Sequence, residues 1–139
     1  MVYFAYGSNL CLEQMKKRCP EAIPMISVHL NNYKLVYNKY ADIIPCEGEK
    51  VYGAIYEISL NDLKNLDKYE EYPDLYEKID LIVQDINGIS YEAFAYVMNE
   101  KGDKTPEKRY LDIIRSIFSY KSGYSSYLSK FFKSFREIS

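Results

Sequence analysis

Val2-Tyr3-Phe4-Ala5-Tyr6-Gly7-Ser8-Asn9-Leu10 is the stretch whose reading decides the fold. Val2 to Ala5 is a short apolar run and predicts a strand. Cys11 to Arg18 reads as the first turns of a helix, with Leu12, Met15 and Cys19 as its apolar stripe and Pro20 as its stop. A Gly-Ser-Asn turn therefore joins the end of a strand to the start of a helix. Gly7 allows backbone angles that other residues avoid, and Ser8 and Asn9 are both good helix N-caps. Such a junction leaves several backbone N–H groups pointing one way beside the positive end of a helix dipole, where a carboxylate or phosphate binds. The same three residues also make a sound turn that binds nothing. The remainder of the chain separates these two readings.

The 139 residues suit a single domain, 1–139, with one real core. A net charge of −2 gives no reason to expect nucleic acid or an anionic membrane surface as a partner. No apolar run reaches membrane-spanning length, and no basic region followed by a long apolar stretch opens the chain. The expected setting is the cytoplasm. Cys11, Cys19 and Cys46 show no paired spacing, and with His29 as the only imidazole they make a poor metal set. Neither a metal nor another cofactor is expected. A Cys–His nucleophilic site would need His29 beside a thiol, and nothing in the spacing places it there. Sixteen Tyr and no Trp is an unusual balance. Tyr packs like an aromatic yet keeps a hydroxyl that needs a partner, so several could line a polar cavity while most serve the core.

Further along, Met25 to Leu30 and Tyr33 to Tyr37 read as two strands around an Asn31-Asn32 turn. Ala41 to Glu49, with Pro45 and Gly48, reads as a loop. Val51 to Tyr56 is apolar on both faces and predicts a buried strand, with Gly53 marking a bulge or a close approach. Ser59-Leu60-Asn61-Asp62 opens a helix in the manner of a capping box. Leu63, Leu66 and Glu70 then recur on one helical line, which aims Glu70 inward near the helix end. Asp67 lies near that line, and Glu71 is turned away by about 100°. An inward carboxylate is costly unless paired or functional, and burial raises its pKa. Tyr76 to Gln84 alternates as a strand, Asn87-Gly88 is a hairpin turn, and Tyr91 to Met98 returns. Thr105-Pro106 starts a helix whose aromatic stripe runs from Tyr110 to Phe118, and a second stripe runs from Tyr124 to Phe135. Both stripes read as core-facing helices, the last one alternatively as a partner-binding face.

An anion-friendly turn and an inward carboxylate are thus the chemical assets of the chain. It offers no Ser-His-Asp set, no metal cluster and no Gly-rich phosphate loop with Lys. At these residues the sequence resembles the gamma-glutamylcyclotransferase-like family. Tyr6-Gly7-Ser8-Asn9-Leu10 is similar to its signature turn, and Val51-x-Gly53-Ala54-x-Tyr56-Glu57 to its central strand. Leu66-Asp67-x-Tyr69-Glu70-x-Tyr72-Pro73-x-x-Tyr76 is similar to the segment that carries its catalytic Glu. Ala95-Tyr96-Val97-Met98 and Pro106-x-x-x-Tyr110 match its later landmarks. Five short motifs in register are more specific than any one of them. The resemblance implies an α+β fold, a small mixed β-barrel of about five to seven strands with surrounding helices and the active-site cavity at the barrel. It implies Glu70 as general acid/base, and Tyr6, Gly7, Ser8, Asn9 and Leu10 as the cradle of a glutamyl head. It implies Tyr76, Tyr96 and Tyr110 as cavity walls. Glu71 stands where many members carry Gly.

The implied partner is a small γ-glutamyl compound, and the implied reaction converts a γ-glutamyl amide to 5-oxoproline and a freed amine. A γ-glutamyl-amine or other γ-glutamylated metabolite as substrate, a related transferase, and a non-catalytic γ-glutamyl-binding domain are the alternatives.

Overall fold

A computed structural model describes residues 1–102 of the chain. The helix expected from Thr105, both C-terminal aromatic stripes and Tyr110 lie outside the described residues. The elements, in order, are β1 (Val2–Ala5), a 3-10 turn (Ser8–Leu10), α1 (Leu12–Arg18), β2 (Ile23–Asn38), β3 (Tyr40–Glu57), α2 (Leu60–Tyr69), β4 (Tyr76–Gln84) and β5 (Ser90–Met98). The strands close into a barrel in the order β1-β3-β2-β4-β5. Its pairings are antiparallel except for β1 with β5, which run parallel with Tyr3 opposite Phe94. The barrel is therefore mixed, with five strands among the described residues, and the two helices make the fold α+β.

Two expectations from the sequence are corrected here. Asn31-Asn32 is not a hairpin turn. It is an irregularity inside one continuous β2, with Asn32 at φ 64 and its side-chain Oδ1 accepting the Gly48 N–H at 3.1 Å. Asn tolerates the left-handed region, and a bulge needs one residue out of step. Nor is 41–49 a loop: it is the first half of β3 and pairs with β2 from Asn38↔Tyr40 to Asn31↔Lys50. The reversal lies at Lys39, φ 71. Pro45 pairs with Tyr33 directly beside the irregularity, the place in a sheet that tolerates a missing N–H.

The other elements follow their local signals. Met15 and Cys19 bury the stripe of α1. Ile79, Leu81 and Val83 of β4 share one side of the core. Ser59 caps α2 through a full capping box with Asp62. Gly53 fills the role predicted for it: a Cβ there would sit 2.2 Å from the Ala5 carbonyl oxygen, so only Gly lets β3 pass so close to the end of β1. That close passage holds the turn after β1 against the barrel.

Candidate active site

The site is built at the end of the barrel where β1 and β5 finish and β3 and β4 begin. There a cavity of about 190 Å³ is lined by the turn residues Tyr6, Gly7, Ser8 and Asn9, by Glu70 and Glu71 after α2, and by tyrosines from β1, β3, α2, β4 and β5. Of the residues named from the sequence, Tyr6, Gly7, Ser8, Asn9, Glu70, Tyr76 and Tyr96 come together on its walls. Leu10 does not: it is buried in the core. Tyr3, Tyr40, Tyr69 and Leu75 are lining residues that sequence reasoning did not single out.

The turn is a single 3-10 segment, with Leu10 N–H donating to Gly7 O at 3.0 Å and Cys11 N–H to Ser8 O at 2.9 Å. Ser8 and Asn9 were expected as caps of α1. The cap is Cys11, with no side-chain bond. The Asn9 side chain is committed elsewhere: its Nδ2 donates to the Tyr3 hydroxyl at 2.9 Å, and its Oδ1 accepts from Arg18 Nη1. Arg18 also reaches Ser8 Oγ at 3.4 Å and lies over the Tyr69 ring, 3.4 Å from its centroid. Arg18 was missed because no spacing rule links the last turn of one helix to the last turn of another.

Helix α2 ends just where the site needs it to end. Glu70 is its C-cap, in the right-handed region, and Glu71 follows at φ 52. Glu71 N–H donates to Lys68 O at 3.2 Å and Tyr72 N–H to Asp67 O at 2.8 Å, the paired bonds of a Schellman closure. The helical line predicted for Leu63, Leu66 and Glu70 holds, and it delivers Glu70 to the cavity. Glu71 was expected to face away, but the left-handed step after the helix brings it to the cavity wall as well. This position suits Gly, and a Glu there carries the cost of a side chain at positive φ.

The Glu70 carboxyl is half-buried, and among the described residues it accepts no hydrogen bond. Burial pushes its pKa from 4.5 up to about 7, against a smaller downward pull from the Arg18 guanidinium. Asp67, one turn earlier, is treated differently: it pairs with Lys78 Nζ at 2.9 Å and accepts the Tyr96 hydroxyl at 2.6 Å. Two further tyrosines are held by backbone. Tyr6 donates to Tyr96 O and Tyr76 to Ala41 O at 2.9 Å. Burial raises the hydroxyl pKa of Tyr3, Tyr6 and Tyr96, so all three are neutral at ordinary pH. The cavity thus offers one unpaired carboxyl of near-neutral pKa, neutral phenols and the backbone of a tight turn.

A barrel with a catalytic-looking carboxyl beside a Tyr-Gly-Ser-Asn turn can be set against known proteins. Residues 3–115 match the family model "Gamma-glutamyl cyclotransferase, AIG2-like". The chain belongs to that family. Among curated members, it is 37% identical over 81 residues to gamma-glutamylaminecyclotransferase A of Danio rerio, covering 57% of this chain and 47% of that protein. It is 27% identical over 126 residues to gamma-glutamylcyclotransferase of Bos taurus, covering 81% of this chain and 67% of that one. The zebrafish match thus spans just under half the length of that relative. A solved gamma-glutamyl cyclotransferase superposes with a TM-score of 0.80 at 25% identity, covering 94% of this chain and 85% of the other. The relatives named here are cyclotransferases, and the solved one shares this fold. Among the described residues no helix is long and apolar enough to cross a membrane, and no group of His, Cys, Asp and Glu could hold a metal ion.

Proposed function

We propose that the protein is a γ-glutamyl cyclotransferase in which Glu70 is the general acid/base. The observation that carries this reading is a carboxyl on the cavity wall, unpaired among the described residues, with a pKa raised to about 7. In a γ-glutamyl amide the nucleophile is already present, since the α-amine can attack the γ-carbonyl carbon and close a five-membered ring. That amine is protonated below its pKa of roughly 8 and must lose a proton first. The Glu70 carboxylate takes it. The new C–N bond forms, and the carbonyl becomes an oxyanion. As the oxyanion collapses, the Glu70 carboxylic acid gives its proton to the leaving nitrogen and the old C–N bond breaks. The second proton of the ring nitrogen then passes through the freed Glu70 carboxylate to the departing amine, which leaves as an ammonium ion. No water and no cofactor enter this balance, and the products are 5-oxoproline and an amine.

A base with pKa near 7 is matched to this double duty. The cavity is small enough to fold the substrate so that amine and carbonyl meet, and this alignment supplies a large share of such rates. The backbone of Gly7 and Ser8 is available to the α-carboxylate or to the oxyanion. Three free cysteines fit a reducing compartment such as the cytoplasm.

The test is 5-oxoproline release from a γ-glutamyl amino acid, glutathione and a γ-glutamyl-amine, by the wild type and by Glu70→Gln. Release by the wild type alone supports the reading, and equal release by both sinks the role of Glu70. The 37% identity to the zebrafish γ-glutamylamine enzyme favours a second reading, in which the leaving group is a simple amine. Preference for the γ-glutamyl-amine within the same panel would select it.

A further inference from the structure

We propose that Arg18 is a positioning residue of this site, which fixes the Asn9 amide and thereby presents the Tyr3 hydroxyl hydrogen to the cavity. The inference rests on the cyclotransferase reading for its kinetic consequences, but not for its geometry.

The direction of the chain follows from what each group can do. A guanidinium only donates, so the Asn9 atom facing Arg18 Nη1 must be its oxygen. The Asn9 NH2 is then turned toward Tyr3, where it donates to the hydroxyl oxygen at 2.9 Å. The Tyr3 oxygen accepts this bond, and its own hydrogen is left over. Among the described residues no acceptor takes that hydrogen, and Tyr3 stands on the cavity wall with its ring otherwise buried. A neutral phenol with its hydrogen aimed into a small cavity is a donor for a substrate carboxylate or oxyanion. Without Arg18 the Asn9 amide is free to flip. Its oxygen would then accept from Tyr3 and withdraw the donor.

Arg18 also joins the two walls. The same side chain holds Ser8 and Asn9 on one side and lies over Tyr69, the residue before Glu70, on the other. It is the cation whose charge pulls the Glu70 pKa down. The other titratable groups facing Glu70 are Tyr3 of β1, Tyr6 of the turn and Tyr96 of β5, all neutral, with Glu71 alongside.

The experiment compares wild type with Arg18→Met, Arg18→Lys, Asn9→Asp and Tyr3→Phe. It measures kcat and KM for 5-oxoproline release against pH, and the Glu70 carboxyl titration by carbon NMR of Glu-labelled protein. Arg18→Met should lower kcat by about tenfold or more, with the acidic limb of the pH profile and the Glu70 midpoint both moved upward. Arg18→Lys, which keeps the charge and a donor, should recover part of the loss. Asn9→Asp keeps an acceptor for Arg18 but takes the Tyr3 hydrogen for itself, so it should lose kcat as Tyr3→Phe does. The double variant Arg18→Met/Tyr3→Phe should retain the activity of the weaker single variant.

Full kcat in Asn9→Asp or in Tyr3→Phe overturns the inference. So does multiplication of the two losses in the double variant. If the wild type releases no 5-oxoproline, the cyclotransferase reading fails instead, and the NMR signals of the Asn9 side-chain amide, which Arg18 and Tyr3 hold, decide alone: unmoved in Arg18→Met overturns the inference, shifted supports it.

Discussion

The two ends of α2 carry inward carboxyls that the fold treats in opposite ways. At the start, Asp62 is wholly buried and fully engaged: Ser59 N–H donates to it at 3.2 Å and Glu21 N–H at 3.3 Å. It also lies at the positive end of the helix dipole, where a negative charge is favoured. At the other end, Glu70 lies where the dipole disfavours a negative charge. It is half-buried on the cavity wall and has no donor among the described residues. Both carboxyls are inward, yet one caps a helix and the other is left without a donor among the described residues. Burial alone therefore does not single out a candidate carboxyl; burial without donors does.

The sharpest way to break this comparison is to neutralise each end in turn. Glu70→Gln should lower 5-oxoproline release by about 10²- to 10⁴-fold, the usual weight of a general acid/base, while leaving the thermal midpoint at neutral pH unchanged or higher. An unfolded or active variant would erase the distinction.

Stability against pH gives the next largest effect. The Glu70 pKa is raised in the fold from 4.5 to about 7, so the folded state holds the proton more tightly. Its contribution to stability is full below about pH 4.5 and is lost as the pH rises through about 7. At roughly 1.4 kcal/mol per pKa unit, the loss is at most about 3 kcal/mol. Urea midpoints between pH 4 and 8 should fall in the wild type relative to Glu70→Gln. Parallel curves would show that Glu70 is not shielded.

Asp62→Ala should act on stability instead. It removes a cap and strands two backbone donors, costing about 2 kcal/mol in urea titration. The Glu70 carbon NMR midpoint should not move. The smallest effect belongs to Glu71→Gly, which relieves a side chain at φ 52. It should raise stability by about 1 kcal/mol and sharpen the helix end without displacing Glu70.

Legibility of the chain followed range. Glu70 was visible because Leu63, Leu66 and Glu70 share one helical line, and the capping box at Ser59 fixed the phase of that line. Gly53 was visible because Gly within an apolar strand implies a close neighbour. The first half of β3 was hidden because Ala41 to Glu49 carries Pro45, Gly48 and several charges, the local composition of a loop. Only pairing with β2 makes it a strand. Glu71 was misplaced because helical rotation was continued one residue past the Schellman closure.

Two things were decided by the residues in sequence order: that a turn rich in small polar residues follows β1, and that one carboxyl of α2 faces inward near the helix end. Both depend on contacts within a few residues, where backbone preference and side-chain period act. That the turn and the carboxyl share one cavity was decided by barrel closure, which pairs β1 with β3 and β5 across most of the chain. The same closure set α1 against α2 and brought Arg18 between Asn9 and Tyr69. No local pattern encodes such a meeting, because its energy exists only when the distant segments pack.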